Sequence, residues 1–208
     1  MRLFIVRHGE SENNLNRRYT GHFDAELTDN GRSQAIAIRP FLSQFKFDKV
    51  YSSDLKRAFE TSQLALPNYT AEKTPLIREI KIGRLENMSI ADIQPSIVGE
   101  DIYKSVRSQD YTPVGGENLA MLRERVETFF KTLEASEYNN VVAFAHGGVV
   151  MAALKNVIGE YNSDSIRRPN CMIAIFDYSN GKWMLTSLID PNLLNGGTIT
   201  TSLTNDKF

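Results

Sequence analysis

Two histidines stand where the chain leaves an apolar run. Leu3-Phe4-Ile5-Val6 leads into Arg7-His8-Gly9-Glu10, and Val141-Val142-Ala143-Phe144-Ala145 leads into His146-Gly147-Gly148. The chain holds only three histidines, so the repetition is informative. A neutral imidazole, with an ordinary pKa of about 6.5, can attack phosphorus near pH 7. Its second nitrogen must then be a donor, to a nearby backbone carbonyl, which fixes the tautomer. His8 is the candidate nucleophile, and Gly9 permits a close backbone approach beside it. Arg7 and Arg57 are the candidate phosphate clamp, because guanidinium forks match the geometry of phosphate oxygens. Arg57 falls in or near the first turn of an expected helix, where backbone N–H groups already favour an anion. Lys56 is adjacent, and spacing does not choose between the two. His146 is the candidate second phosphate ligand, expected protonated and supporting charge on the transferring group. The third histidine, His22, lies in a polar loop and is read as peripheral. A departing alkoxide needs a proton, which a carboxyl group can supply. Glu79 is the candidate acid, with Glu10 and Glu86 as rivals that spacing does not rank. No metal is expected. Neither His8 nor His146 has a cysteine, a His-x-x-x-His spacing or an Asp-rich cluster nearby.

These residues need a scaffold that brings distant segments together. Leu3–Val6, Lys49–Tyr51 and Val141–Ala145 read as short buried strands, the last being the strongest. Leu76–Ile80 reads as a third short strand or an irregular edge. Ser33–Phe45 reads as a helix with a distortion or break near Pro40. Ser52-Ser53-Asp54 is expected to cap a helix over Leu55–Leu66. Leu119, Leu122, Val126, Phe129, Phe130 and Leu133 form an apolar stripe on a helix over Asn118–Ala135. A further helix follows Gly147-Gly148 and runs to Ile158. Met172–Phe176 and Trp183–Ile189, joined at Asn180-Gly181, read as an antiparallel hairpin. Alternating strands and helices predict a three-layer α/β/α fold around a mostly parallel sheet. Arg7, His8, Arg57 and His146 then all fall near carboxyl ends of strands, where such sheets bind ligands. Residues 86–113 carry Pro95, Gly99 and Pro113 with two weak helical segments, and read as a cap insertion over the site. One domain spans 1–190, and a polar tail spans 191–208.

Composition narrows the function. The 208 residues carry 24 basic and 25 acidic side chains, a formal charge of −1. Such balance argues against a bulk nucleic-acid or membrane-surface binder, while leaving room for a local positive pocket. No apolar run approaches the roughly 20 residues of a membrane span. The N-terminal apolar stretch is only four residues before charge returns, unlike a signal peptide. Cys171 is the only cysteine, so no intrachain disulfide is possible, and a cytoplasmic location is the expectation. No face reads as an oligomer seam.

The motifs together resemble the histidine phosphatase superfamily, the phosphoglycerate mutase-like group. Arg7-His8-Gly9-Glu10-Ser11 with Asn14 matches its first signature. Gly21, Asp24, Leu27-Thr28, Gly31 and Gln34-Ala35 match the segment that follows. Ser52-Ser53-Asp54-Leu55-Lys56-Arg57-Ala58 with Thr61 matches the second arginine motif. Leu76, Glu79 and Gly83 resemble the acid-bearing motif, Gly115-Gly116-Glu117 the Gly-Gly-Glu stretch, and Val142–Val149 the second histidine motif. The likeness runs from residue 2 to about 189. It implies a phosphohistidine at His8, a phosphate pocket completed by Arg7, Arg57 and His146, and Glu79 as proton donor. Asn14, Thr20, Gly21 and Gly147 are implied substrate contacts. No metal or cofactor is implied, and the expected partner is a small phosphorylated metabolite.

The sequence departs from the family at Gly83-Arg84-Leu85-Glu86-Asn87, where Gly-x-Trp-Glu-Gly is usual, and at Asn13, where Trp is common. Both changes fall at the expected substrate mouth. Arg17-Arg18-Tyr19-Thr20-Gly21 looks mutase-like, but residues 86–113 are short and lack the Trp-Arg-Arg stretch of cofactor-dependent mutases. A metal-independent phosphomonoester hydrolase of the histidine acid phosphatase type is therefore expected. Phosphoglycerate mutase is the nearest alternative, and a non-catalytic phosphate-binding or interaction protein on the same fold is the other. Lys81, Arg84, Lys104 and Arg107 are candidates to reach an acidic substrate, and Phe23, Tyr103 and Tyr111 to stack on one.

Overall fold

In a computed structural model, residues 1–162 and 165–194 are described. Six strands form one sheet in the order β3-β2-β4-β1-β5-β6. They are β1 (Arg2–Arg7), β2 (Lys49–Ser53), β3 (Glu72–Thr74), β4 (Asn140–Ala145), β5 (Ile173–Ser179) and β6 (Lys182–Ile189). The four strands β3, β2, β4 and β1 are mutually parallel, and β5 and β6 add an antiparallel edge. The sheet is thus mixed, with a parallel centre, and its helical layers make the three-layer α/β/α architecture. Strands β1 and β4 are adjacent and in register, Arg7 opposite Ala145. That single pairing puts His8 and His146 side by side.

The helices are α1 (Glu12–Leu15), α2 (Asp29–Ala37), α3 (Arg39–Leu42), α4 (Lys56–Ala65), α5 (Pro95–Val98), α6 (Glu100–Ser108), α7 (Leu119–Glu134) and α8 (Gly147–Ile158). One face of the sheet packs on α7 and α8 through Leu3, Ile5, Val126, Phe129, Val141 and Val150. The other packs under α2 to α4 through Phe4, Val6, Leu42, Val50, Val142 and Phe144. The central strands are buried on both faces, which is why they read as continuous apolar runs.

Three expectations shift, while the break near Pro40 is found. The helix begins at Asp29 rather than Ser33, because the Thr28 hydroxyl accepts from Gly31 N–H at 3.0 Å and caps it. It breaks at Ile38, and Pro40 sits in the first turn of α3, where its missing N–H costs nothing. Ser52 and Ser53 belong to β2 and do not cap α4. The carboxylate of distant Asp24 instead accepts from Lys56 N–H at 2.7 Å. The third strand is Glu72–Thr74, and Pro75–Ile77 is a 3-10 turn. Pro75 cannot donate to a ladder, so the strand ends before it. The Asn180-Gly181 hairpin forms as expected, both residues having positive φ. The polar tail from residue 195 lies outside the described residues; Pro191–Leu193 is a 3-10 turn.

Between 83 and 114 the chain forms α5, α6 and three turns of 3-10 helix. A third apolar cluster, with Ile82, Leu85, Ile93, Val106, Tyr111 and Val114, lies under them. This layer is stitched to the loop after α1. Tyr19 N–H donates to Met88 O (2.9 Å), Asn87 N–H to Tyr19 O (2.7 Å) and Ile90 N–H to Arg17 O (2.9 Å).

The loop carrying His8 is pressed against the first turn of α2. A Cβ on Gly9 would overlap the Gly31 carbonyl, and one on Gly31 would overlap the Glu10 carbonyl. Both obstacles are backbone, which cannot swing aside. Gly31→Ala is expected to destabilise the fold by about 1–3 kcal/mol. Urea unfolding would read this as a lower midpoint at unchanged slope; an unchanged midpoint would mean the two backbones separate freely.

Candidate active site

The site is assembled where β1, β2 and β4 end. His8 is 4% exposed, and Arg57 and His146 are fully buried. His8 Nδ1 lies 2.6 Å from the Gly9 carbonyl oxygen. A carbonyl only accepts, so Nδ1 carries the proton and Nε2 keeps its lone pair. Arg57 Nε–H donates to that Nε2 at 3.2 Å. The rest of the Arg57 fork donates to Phe23 O at 3.0 Å and Gly21 O at 2.9 Å. Lys56, in contrast, is exposed and pairs with Glu26 at 3.6 Å, so the structure brings Arg57 and not Lys56 to His8. Arg7 is buried, its Nη1 donates to the Arg168 carbonyl, and its side chain lies against Gly147.

His146 stacks edge-on to His8 with ring centroids 5.1 Å apart. Its Nε2 lies 2.9 Å from Ser53 Oγ, while its buried Nδ1 has no hydrogen-bond partner. Both histidines are held well below their ordinary pKa, first by burial and then by the neighbouring arginine charges. The same burial and charges favour the neutral imidazole at His146, which is expected to be protonated only against a bound phosphate. Burial pulls the Arg57 guanidinium down to about 10, with the Glu79 and Asp24 charges opposing the shift, and it stays charged at neutral pH.

The three carboxylate candidates separate cleanly. Glu10 accepts from the Thr28 hydroxyl at 2.7 Å. Glu86 accepts from His22 N–H at 3.0 Å and braces the Gly21–His22 turn. Glu79 lines the cleft with Arg7, His8 and Arg57, and accepts from Ile80 N–H at 2.9 Å and Gly148 N–H at 3.1 Å. His22 is not peripheral in the structural sense. It is half-buried, and its Nε2–H donates to the Glu79 carbonyl at 2.8 Å.

Asn14, Thr20, Gly21 and Gly147 all line the same cleft. Asn14 also closes a capping box with Ser11. Tyr111 is in the wall, whereas Phe23, Tyr103, Lys81, Arg84, Lys104 and Arg107 are not; the cleft's outer cations are Arg17, Arg18 and Arg168. Asn13, at the position where Trp is common in the family, is buried beside them.

Several supporting contacts are visible only in the structure. Thr61 Oγ1 accepts from Gly9 N–H at 3.0 Å and donates to Arg57 O at 2.6 Å, joining the His8 loop to α4. Asn170 donates to the His8 carbonyl at 3.1 Å. Glu117 and Arg125 form a partly buried pair at 2.8 Å, and Arg125 also donates to the carbonyls of Arg78 and Glu79. The Gly115-Gly116-Glu117 stretch signalled Glu117, but nothing in the sequence signalled Asn170.

The geometry is one of a buried anion hole. Arginine forks, a helix N-terminus at Gly147, an imidazole with an unprotonated nitrogen and one carboxylate line one cleft. The sequence profile described as histidine phosphatase superfamily (branch 1) matches residues 3–191. The chain belongs to the histidine phosphatase superfamily. It is 35% identical to phosphoglycerate mutase-like protein 4 of Arabidopsis thaliana over 154 residues, 71% of this chain and 67% of that protein. It is 30% identical to the adenosylcobalamin/alpha-ribazole phosphatase of Salmonella typhimurium over 161 residues, 76% of this chain and 80% of that protein. Its fold is similar to the alpha-ribazole phosphatase of Shigella flexneri, with TM-score 0.82 and 27% identity, covering 92% of this chain and 97% of that one. Phosphoglycerate mutase from Thermus thermophilus gives TM-score 0.69 at 32% identity, covering 91% and 99%. This superfamily member is a hydrolase of small phosphorylated metabolites. Among the described residues no group of three or more His, Cys, Asp or Glu is placed to hold a metal ion, and no helix is long and apolar enough to cross a membrane.

All three histidines are held below their ordinary pKa, His8 and His146 furthest, and couple folding to pH. The unfolded chain takes up protons near pH 6.5 and the folded site does not, so stability is full above that pH and falls below it. The expected loss is about 1 kcal/mol per histidine between pH 6.5 and 5.5, or about 2 kcal/mol for His8 and His146 together. Urea unfolding in phosphate-free buffer measures the slope. His8→Asn should remove about half of this histidine contribution, and an undiminished slope would mean that His8 titrates normally in the folded protein.

Proposed function

We propose that this hydrolase works through a phosphohistidine on His8 Nε2. The tautomer set by the Gly9 carbonyl carries the reading, because it leaves the lone pair on the nitrogen that faces the Arg57 fork. Arg7 and Arg57 hold the non-bridging oxygens, His146 supports the charge they carry, and Asn14, Thr20, Gly21 and Gly147 frame the substrate. The Nε2 lone pair attacks phosphorus as the ester P–O bond breaks, and Glu79 delivers a proton to the leaving oxygen. Water then attacks the phosphohistidine, the P–N electron pair returns to Nε2, and the Glu79 carboxylate takes the water's proton. The sum is an alcohol and inorganic phosphate. This route asks for no metal or cofactor.

The leaving group sits against Ile80, Ile82, Ile90, Tyr111 and Met151, with Arg17 and Arg18 at the rim. Ile90, Gln109 and Tyr111 come from the segment at about 86–113 or its immediate edge, which acts as the cap. The apolar part of the wall suits a carbon skeleton, and Arg17, Arg18 and Arg168 suit a further acidic group on it. It also favours a small molecule over a phosphopeptide.

Phosphate release from a panel of phosphorylated metabolites in EDTA tests the function. The panel includes phosphoglycerates and α-ribazole phosphate, and mutase product is followed in parallel. Steady release with small molecules ranked above any phosphopeptide is expected. Isomerisation without release would make the protein a mutase instead. His8→Ala should abolish both turnover and acid-labile phosphate labelling of the folded protein. Arg57→Ala should lower kcat/KM by at least about 100-fold. Retained turnover in folded H8A would remove His8 as nucleophile.

A further inference from the structure

The first turn of α8 contains a glycine that the backbone does not require. Gly148 is helical and has no positive φ. Alanine in its place would favour a helix by about 1 kcal/mol. The space it leaves is filled by a carboxylate. A Cβ built on Gly148 would overlap Glu79 Oε1 and lie 3.1 Å from Glu79 Cδ. The next neighbour is a Leu122 methyl at 3.3 Å, which can give by a few tenths of an ångström. The same residue supplies the N–H that Glu79 Oε2 accepts at 3.1 Å, at a helix end whose dipole favours a negative charge. Ile80 N–H, 2.9 Å from Oε1, fixes the other oxygen. Glu79 is therefore clamped between its own loop and α8, and the clamp closes only because position 148 has no side chain.

The geometry points to Gly148 as a positioning residue: its bare Cα and its N–H together set where the Glu79 carboxylate meets the leaving oxygen. This rests on Glu79 being the proton donor. The fixed point matters because β4 carries both His146 and the start of α8. Nucleophile partner, helix N-terminus and acid are then referenced to one strand end. The His8–leaving-oxygen line and the Glu79 proton keep one mutual geometry, and misplacement by about 1 Å costs on the order of 100-fold in rate.

Gly148→Ala is the test, because the main obstacle to its methyl is the far end of a flexible side chain. The fold is expected to hold while the carboxylate is pushed off its donor. In a ping-pong reaction kcat/KM reports the step that forms the phosphohistidine. That step needs a proton donor for an alkoxide and barely needs one for 4-nitrophenolate. G148A should lower kcat/KM for the best alkyl phosphate of the metabolite panel by about 100-fold, and for 4-nitrophenyl phosphate only a few-fold. Glu79→Gln should show the same leaving-group contrast. Equal loss on both substrates in G148A, or none on either, with the contrast kept in E79Q, overturns the role of Gly148 and leaves Glu79 as the acid. A missing contrast in E79Q itself overturns the acid reading and this inference with it. Should G148A unfold, E79A/G148A removes the overlap. Compared with E79A it should lose nothing further on the alkyl phosphate, and an additional loss of tenfold or more would mean that Gly148 does not act through Glu79.

Discussion

A guanidinium with no exposed surface and only neutral hydrogen-bond acceptors is the constraint around which this molecule is built. Arg57 donates to a histidine nitrogen and to two carbonyls, and to no carboxylate. Removing an uncompensated charge from water costs several kcal/mol, so every acceptor must be held in place by something else. The loop from Gly21 to Asp24 curls over the fork, and its turn is possible because Gly21 has φ +51. Asp24 ties the loop to the first turn of α4, and Glu86 ties it to the acid-bearing segment. A polar stretch with little apolar content of its own is thereby ordered by one buried cation.

The same field explains the protonation of the pair of histidines. Both are desolvated and both lie near arginines, so each is held well below its ordinary pKa, which favours the neutral imidazole. For His8 the neutral form is the one that the proposed attack requires. A phosphate dianion bound between the arginines would favour the imidazolium of His146.

The third apolar cluster decides how the cleft is closed. Its residues pack among themselves rather than into the two main cores, and the layer is fastened to the loop of Arg17–Tyr19 by backbone hydrogen bonds. Mouth loop and covering segment are consequently one unit. Lys104 and Arg107 of α6 are not among the cleft's lining residues, whereas Arg17 and Arg18 are. The positive charge at the mouth is therefore carried by the loop that follows His8.

The sequence by itself determined the parallel centre of the sheet, the helices α7 and α8, the β5–β6 hairpin and the strand-end position of His8 and His146. Those features rest on local periodicity, turn chemistry and apolar runs buried on both faces, all of which are written in consecutive residues. The resemblance added Arg57 and Glu79. Only the tertiary structure decided between Arg57 and Lys56 by direct contact, sent Glu10 to Thr28 and Glu86 to the Gly21 turn, and left Glu79 in the cleft. Ser53, which reads as a cap, became a partner of His146, because the strand ran two residues further and Asp24 took the capping role from a distance. Asn170 and Arg125 were silent for the same reason. Their partners lie far along the chain, and a hydrogen bond between segments leaves no periodic mark in either one. Gly148 shows the limit most plainly: its spacing announces a glycine, and only the packing reveals the carboxylate that occupies the room it leaves.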